Sequence, residues 1–379
     1  VSYDTLFETS GLVGITVSLG GPAHRRDRAA DSFGTGERLV SFVERRNLMA
    51  IHEDALDSGG ERPLTDADGQ PLPFWHVDNT AAPGGDGTWE QPFDTLAAAG
   101  AEAGTTGPGD VIIFHVGDGT TTNQTDGITL QDSQYFLAGG FDRTLGFGDC
   151  DCTLAELLDE GRPVMTDSDG DALRLADDNV TGGYDIVDAA QQGVSGDGIV
   201  GLAMFDVGIY DSGGSGIELT NSTGRFLFSG LTVTGNDGDF PVDDAGGGFN
   251  LLGIAGQVVI EDTLCSENGV NGGPLSRYDC IEIASAAAGD LDVAIRRTRV
   301  LDNWGNGLEL HLTGSGRMSA LVEDSLFQRN SESAITLVND VNSTGAARWE
   351  LRGNGITDNG WSGVEVSKLL GTNTLQLLI

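Results

Sequence analysis

The chain has 379 residues, of which 58 are glycine, and its 58 acidic against 20 basic side chains give a formal net charge of -38. Such an acidic surface disfavours nucleic acid and anionic lipid as partners, because both carry the same charge. No run of about 18 apolar residues is present, which argues against a membrane-spanning helix.

Residues 1–57 differ in pattern from the rest and predict a set of N-terminal strands. The stretch 12–19 (LVGITVSL) alternates like a strand and ends at two glycines. Residues 58–73 are rich in Gly, Pro and Asp and are interpreted as a linker. Because the sequence starts without Met or a cationic leader, we expect a piece of a longer protein whose targeting signal lies upstream.

Residues 74–379 predict one large domain, of which 74–160 form an irregular cap and 164–379 carry regular repeats. The cap begins with an apolar strand, Phe74–Val77, and a turn-rich loop. A helix rich in small residues follows around 93–103, and two further strands are predicted at 111–116 and 128–139.

In the region 164–379, one phrase recurs that consists of a small, an apolar, a polar and an apolar residue. Its first apolar residue stands at positions 217, 249, 281, 308, 335 and 364, so the intervals are 32, 32, 27, 27 and 29 residues. Self-similarity at a period of about 20 to 50 residues indicates a stacked repeat. The alternation predicts one strand per repeat, with apolar residues inward and the polar residue outward.

An asparagine recurs inside the same repeats and predicts a sharp corner between two strands. It follows a short β-rich stretch in each copy, at Asn236, Asn268, Asn303, Asn330 and Asn359. Asparagine suits a tight bend because its side chain bonds locally and tolerates the left-handed backbone. The predicted fold is all-β, a parallel β-helix solenoid of about eight coils. A β-propeller or sandwich is the alternative, but propeller blades need about 40 residues each.

Two segments resemble known families. The segment 78–96 (DNTAAPGGDGTWEQPFDTL) is similar to the opening of bacterial right-handed β-helix proteins of the pectate-lyase-like fold, which implies a short helix capping the first coil. The segment 42–51 (FVERRNLMAI) resembles the stretch that closes the membrane barrel of inverse autotransporters of the intimin and invasin type, although Arg46 stands where that pattern has Asn. The second resemblance implies that residues 1–57 end an outer-membrane β-barrel; an ordinary hairpin is the alternative.

These resemblances and the acidic composition predict a bacterial cell-surface or secreted module. We expect it to be adhesin-like or structural, to contact extracellular glycans or other cells, and to be monomeric. It would meet a membrane only through its N-terminal segment. The alternative is a carbohydrate-active enzyme, either a polysaccharide lyase or a glycoside hydrolase, acting on an extracellular polysaccharide.

The enzyme alternative needs long loops that wall a cleft, and it names three candidate catalytic residues, Asp243, Asp244 and Arg277. They lie on two long predicted loops, 237–247 and 269–279. Outward carboxylates at Glu218, Glu282, Glu309 and Glu365 recur at one place in the repeat, and His311 points the same way as Glu309. We interpret these as a solvated face, although a bridging cation is an alternative.

Two further features leave alternatives open. Asp167, Asp169 and Asp171 alternate around a glycine, as ligands in calcium loops do, so calcium is the only cofactor indicated; an Asp-rich turn is the alternative.

Four cysteines are too few for a disulfide scaffold. Cys150 and Cys152 are too close in sequence to favour pairing with each other. Cys265 and Cys280 either form a bond or contribute small apolar side chains.

Overall fold

The structure is a computed structural model that describes residues 50–51, 62–63, 71–139, 144–147, 150–153, 161–236, 247–269, 279–340, 343–368 and 375–379. Within these ranges the strands are β1 Ala50–Ile51, β2 Arg62–Pro63, β3 Phe74–Val77, β4 Val111–Phe114, β5 Ile128–Thr129, β6 Tyr135–Ala138, β7 Thr144–Phe147, β8 Cys150–Thr153, β9 Val164–Met165, β10 Leu173–Arg174, β11 Asn179–Gly182, β12 Asp185–Val187, β13 Val194–Asp197, β14 Val200–Phe205, β15 Gly208–Tyr210, β16 Ile217–Thr220, β17 Thr223–Ser229, β18 Thr232–Thr234, β19 Phe249–Glu261, β20 Leu264–Ser266, β21 Ile281–Ser285, β22 Leu291–Arg296, β23 Arg299–Leu301, β24 Leu308–Leu312, β25 Met318–Glu323, β26 Leu326–Gln328, β27 Ile335–Asn339, β28 Ala347–Arg352, β29 Gly355–Thr357, β30 Val364–Lys368 and β31 Leu375–Leu378. The helical elements are α1, Leu96–Ala99, and a 3₁₀ turn, Ala101–Ala103.

The chain divides into two compact units. One comprises Val1–Phe74 and Asp142–Leu157, and its described strands form two antiparallel pairs, β1 with β2 and β7 with β8. The other comprises Trp75–Phe141 and Leu158–Ile379. The predicted strand at 12–19 and most of the segment 42–51 lie outside the described residues.

The second unit is a parallel β-helix, which confirms the predicted fold class. Its coils run through three faces, and each strand pairs in parallel with a strand of the same face on the next coil. Face A holds β5, β10, β13, β16, β19, β21, β24, β27 and β30; face B holds β3, β4, β6, β11, β14, β17, β19, β22, β25, β28 and β31; face C holds β9, β12, β15, β18, β20, β23, β26 and β29. The eight described strands of face C agree with about eight coils.

The recurring sequence phrase is the strand of face A. Its first apolar residues, Ile217, Phe249, Ile281, Leu308 and Ile335, are successive register partners and are fully buried. Strand β19 has 13 residues and pairs on both face A and face B, so the chain crosses that corner without leaving the strand. One continuous apolar core fills the interior from Val77 to Leu351.

The asparagine corners form the predicted ladder. The Nδ2 of each asparagine donates to the Oδ1 of the asparagine on the next coil, at 3.0, 3.3, 2.8 and 2.9 Å, along the series Asn236, Asn268, Asn303, Asn330 and Asn359. Because these side-chain amides bond to one another, their polar groups are satisfied within the protein.

The cap contains the predicted helix in a shorter form. Helix α1 has four residues, Thr95 caps it by accepting a hydrogen bond from the Ala98 amide, and Leu96 and Ala99 face the interior. Gly100 ends it, because the chain turns there into the separate 3₁₀ turn. In the described part of the chain no helix is long and apolar enough to cross a membrane.

Candidate functional site

The three predicted catalytic residues, Asp243, Asp244 and Arg277, lie outside the described residues. The chain on either side of their two segments is described, and it is paired. Before them, the Gly269 amide donates to the Asn236 carbonyl at 2.9 Å. After them, Gly247 packs so closely on Asp279 that a Cβ at this glycine would lie 2.3 Å from the Asp279 carbonyl oxygen. The described residues that flank the two segments are therefore paired with each other on consecutive coils.

The predicted calcium residues are engaged within the protein. Asp167 is buried and its Oδ2 accepts a hydrogen bond from Arg174 at 2.7 Å, while its Oδ1 accepts one from the Asp169 amide. Asp171 Oδ1 accepts a hydrogen bond from the Gln192 amide at 3.0 Å. Among the residues that the structure describes, no three His, Cys, Asp or Glu side chains are grouped to hold a metal ion. Calcium binding at this turn stays a prediction.

Face A carries a continuous line of polar side chains, here called the glutamate column. Its members are direct register partners on six consecutive coils: Glu218, Asn250, Glu282, Glu309, Thr336 and Glu365. They point outward because they alternate with the buried apolar residues of the same strands. Adjacent strands are about 4.8 Å apart, so Glu282 and Glu309 are immediate neighbours.

Beside the column, Asp279 and Glu309 are two carboxyls that contact the same asparagine, Asn306, and they are here called the acid pair. Asp279 lies two residues before β21, and Asn306 takes the same place two residues before β24. The Asn306 backbone amide donates to Asp279 Oδ1 at 2.7 Å, and its side-chain Nδ2 lies 3.4 Å from both Asp279 Oδ2 and Glu309 Oε2. Asn306 therefore positions both carboxyls.

The orientation of the Asn306 amide is itself fixed. Its Oδ1 accepts hydrogen bonds from the Ser333 amide and from the Thr336 hydroxyl, both at 3.1 Å. With the oxygen held by two donors, the Nδ2 group must face the two acid groups.

Electrostatics around the acid pair favour a retained proton. Desolvation raises the pKa of Asp279 well above its usual range, and the charges of Glu309 and Glu282 raise it further, against the hydrogen bonds from Asn306. Desolvation also raises the pKa of Glu309, although His311 and the hydrogen bond with Asp279 lower it. Two carboxyls this close cannot both ionise freely, so the pair holds one proton between them more tightly than an isolated acid would.

Among the described residues, the side chains around the pair are polar and include few cations. His311 follows Glu309 on β24, and its Nε2 lies 3.9 Å from Asp340 Oδ2. Glu365 accepts a hydrogen bond from Ser333 Oγ at 3.0 Å. At the outward positions of face A between Glu218 and Glu365, the described residues include neither Arg nor Lys.

Two exposed tryptophans stand in corners between face C and face A. Trp304 is 44% exposed and Trp361 is 60% exposed. Trp304 stands in the corner before β24 and Trp361 in the corner before β30, and their backbones bond to those of the adjacent coils. Exposed indoles beside polar groups offer flat apolar surfaces for a partly polar ligand.

A disulfide bond lies next to the acid pair. Cys265, inside β20, is bonded to Cys280, which directly follows Asp279, with their Cα atoms 6.1 Å apart. This bond decides between the two alternatives left open by the sequence. It ties the start of β21 to face C, so the position of Asp279 is anchored covalently through its neighbour.

The sequence pattern identified the glutamate column but not the acid pair. In the sequence pattern, Glu309 is one of several outward carboxylates on a solvated face, and Asp279 is the last residue of a predicted loop. A second position of the repeat contains the information that would have identified the acid pair. Two residues before each face A strand the chain has Ser215, Gly247, Asp279, Asn306, Ser333 and Ser362, so an acid and an amide are stacked there on consecutive coils.

No family model and no curated protein matches the sequence. Among solved structures, the pectate lyase Pel9A is 12% identical, covers 76% of this chain and 78% of its own, and gives a TM-score of 0.38. A rhamnogalacturonan lyase is 12% identical over 72% of this chain and 73% of its own, with a TM-score of 0.32. The GH136 lacto-N-biosidase from Eubacterium ramulus is 11% identical over 80% of this chain and 68% of its own, also with 0.32. At these values the likenesses carry no argument about activity.

Proposed function

We propose that the protein is a carbohydrate-active enzyme of the glycoside hydrolase type, with the Asp279–Glu309 pair as its general acid. The observation that carries this proposal is the placement of two carboxyls, Asp279 and Glu309, around the Asn306 amide beside an outward strand face, where burial raises the pKa of both. A carboxyl that keeps its proton near neutral pH is what general acid catalysis requires.

In the proposed reaction, the protonated acid pair and the neighbouring carboxyl of Glu282 have different roles. The acid pair gives its proton to the glycosidic oxygen as the bond to the sugar breaks. Glu282, the register neighbour of Glu309, is the second carboxyl of this proposed site; it stabilises the positive charge developing on the sugar or activates a water molecule. Asn306 keeps the pair in place through both steps, and water returns the proton.

A hydrolase is favoured over a lyase by the charges on the face. A lyase that acts on uronic acids must neutralise the substrate carboxylate, which calls for a cation such as Arg, Lys or a metal ion. The described outward positions from Glu218 to Glu365 offer only carboxylates, neutral residues and His311. An acidic face of this kind repels an anionic polymer.

Glycan contact without cleavage, the adhesin-like role that the sequence predicts, is the second candidate. The exposed indoles of Trp304 and Trp361 support it, because sugar rings pack their C–H surfaces on aromatic faces. A binding surface needs these indoles but not a proton held by Asp279. A bacterial cell-surface or secreted location is part of either proposal.

The deciding experiment incubates the protein with a panel of neutral, cationic and anionic polysaccharides and measures released reducing ends. We expect cleavage by the wild type and a loss of kcat of about 100-fold or more in Asp279→Asn and Glu309→Gln. The matched control is Asp188→Asn, an exposed acid on a left-handed corner of face C, which removes the same charge elsewhere. Binding without any cleavage, or unchanged turnover in both variants, would refute the acid pair as a catalyst.

A further inference from the structure

The two exposed indoles, Trp304 and Trp361, stand on the corner between face C and face A, two coils apart. The residues that directly follow the last three ladder asparagines lie over one another and form one column, which consists of Trp304, Ser331 and Gly360. Trp361 belongs to the adjacent column, because its amide donates to the Glu332 carbonyl at 3.1 Å and the Glu332 amide donates to the Gly305 carbonyl at 3.2 Å. With about 4.8 Å between neighbouring coils, the backbones of the two tryptophans are about 10 Å apart along the solenoid axis.

The residues that separate the two indoles in these columns are small or buried. Ser331 lies beside Trp304, and its hydroxyl donates to the Trp304 carbonyl. Gly360 follows Ser331 in the same column, and a Cβ at this glycine would lie 2.0 Å from the Ser331 carbonyl oxygen, so no side chain fits there. Glu332, which precedes Trp361 in the other column, is buried. The two indoles are therefore the exposed aromatic surfaces of this corner, and a ligand can contact both.

The charged side chains next to this corner interact with one another. Asp302, Arg329 and Asp358 directly precede the same three ladder asparagines. Arg329 bonds both oxygens of Asp302, and Asp302 and then Asp358 hold the pKa of Arg329 above its usual range. One guanidinium between two carboxylates offers no net positive charge to an anionic polymer, whereas the carboxylate oxygens can accept hydrogen bonds from hydroxyls. The polar side of the corner therefore suits an uncharged ligand that is rich in hydroxyls.

The shape and the spacing of the indoles select among such ligands. An indole packs on the C–H face of a sugar ring, and this face is flattest when the ring hydroxyls are equatorial, as in the glucose configuration. In an extended β-1,4-linked chain, alternate rings turn the same face to the same side. Two rings that pack on one surface of the protein are therefore separated by one intervening ring, which is close to the two-coil distance between Trp304 and Trp361.

We propose that this corner binds an uncharged β-1,4-linked glycan of the glucose configuration, which lies along the solenoid axis with two alternate rings packed on Trp304 and Trp361. This inference rests on the proposed function, because Trp304 lies two residues before Asn306, which positions the acid pair. Trp304 precedes β24 and Trp361 precedes β30, whereas Asp279 precedes β21. A chain that is cleaved at the acid pair therefore extends from it toward the C-terminal coils, across both indoles.

The test is a calorimetric titration of the whole protein with three β-1,4-linked oligosaccharides: cellohexaose, cellobiose and mannohexaose. Cellobiose does not reach both indoles, so we expect it to bind about ten-fold more weakly than cellohexaose. Mannohexaose has the same length and linkage as cellohexaose and differs only in the axial 2-hydroxyl of each ring, which makes it the matched control. We expect it to bind about five-fold more weakly, because the axial hydroxyl interrupts the flat face. Equal binding of cellobiose, equal or tighter binding of mannohexaose, or no binding of cellohexaose would overturn the proposal.

Variants locate the binding on this corner. Trp304→Ala and Trp361→Ala are each expected to weaken cellohexaose binding by about five-fold, the usual contribution of an aromatic contact, while Trp304→Phe keeps most of the affinity. Trp89→Ala is the matched control, because Trp89 is 52% exposed in the turn-rich loop of the cap, and its removal should leave the affinity unchanged. An unchanged affinity in both corner variants, with melting curves that show folded protein, would contradict the assignment.

The two proposals fail separately. If cellohexaose binding depends on Trp304 and Trp361 but no glycan is cleaved, the binding site stands and the hydrolase proposal falls. If some glycan is cleaved by the wild type but not by Asp279→Asn, and both tryptophan variants cleave it with an unchanged kcat/KM, the acid pair stands and the assignment of this corner falls.

Discussion

The carboxylates of face A and those at the corners after faces B and C occupy the same solenoid but have opposite surroundings. At the corner after face B, Arg297 bonds both oxygens of Asp262 at 2.7 and 2.8 Å and also reaches Glu261. At the corner after face C, Arg329 bonds Asp302 at 2.5 and 2.6 Å. On face A, the acid pair is held instead by the neutral amide of Asn306.

This difference in partners distinguishes acids that stabilise the coils from acids that could take part in chemistry. An acid that stabilises the coil is paired with a cation, and its pKa falls, as that of Asp302 does beside Arg329. An acid without such a partner and with restricted access to water has a raised pKa, as Asp279 does. A raised carboxyl pKa is destabilising at neutral pH, and groups with such shifts cluster at functional sites.

The largest expected effect concerns the disulfide under the acid pair. Replacing both Cys265 and Cys280 with Ala should lower the free energy of unfolding by about 3 kcal/mol, because the bond constrains a loop of 15 residues in the unfolded chain. The measurement is chemical denaturation, with the dithiothreitol-treated wild type as the control. If the disulfide also positions Asp279, cleavage activity should be lost in conditions where the variant is still folded. Full activity in the folded variant would show that the pair needs no covalent anchor.

The second prediction uses the sign of the pKa shift at the acid pair. Asp279→Asn mimics the protonated acid and should raise the free energy of unfolding at pH 7 by about 1 kcal/mol. Because the folded-state pKa of Asp279 is raised, its contribution to stability is full below the unfolded value and is lost as pH rises through the folded value. The gain from Asn should therefore vanish near pH 3. Denaturation at both pH values measures it, and a loss of stability at pH 7 would contradict the account.

The third prediction is the matched case at the corner after face C, with a smaller effect and the opposite sign. Arg329→Met should lower the free energy of unfolding at pH 7 only slightly, because an exposed ion pair contributes little to stability. The pKa of Asp302 is lowered in the fold, so this contribution is present above the unfolded value and lost as pH falls through the folded value. The double variant with Asp302→Asn should be no less stable than either single one. Additive losses would show that the two side chains act independently.

Much of the fold followed from the sequence because a solenoid repeats its constraints. The phrase around Ile217 and Ile281 fixed the strand register, and Asn268 and its equivalents fixed the corner. Because the same pattern occurs in every coil, an ambiguous residue in one repeat can be interpreted from the equivalent residues of the others. The cap was less predictable: the sequence predicts one helix around 93–103, but α1 ends at Gly100 and a separate 3₁₀ turn follows it.

The acid pair could not be read from the strand pattern. Asp279 occurs once at its position in the repeat, where other coils have Ser, Gly or Asn, so periodicity gives it no weight. Its pKa is raised first by desolvation and then by the charge of Glu309, which is 30 residues away in sequence and adjacent only because of the coil stacking. The sequence likewise left open whether Cys265 and Cys280 are bonded, because their distance depends on how the coils stack.

The central claim is that the Asp279–Glu309 pair retains a proton that paired acids such as Asp302 have lost. The most direct measurement is a carboxyl ¹³C NMR titration of the wild type, with Asp279→Asn to assign the signals. The account predicts one coupled pair that titrates well above the ordinary range for Asp and Glu and disappears in the variant, while Asp302 titrates below that range. Ordinary titration of every carboxyl on face A would contradict it.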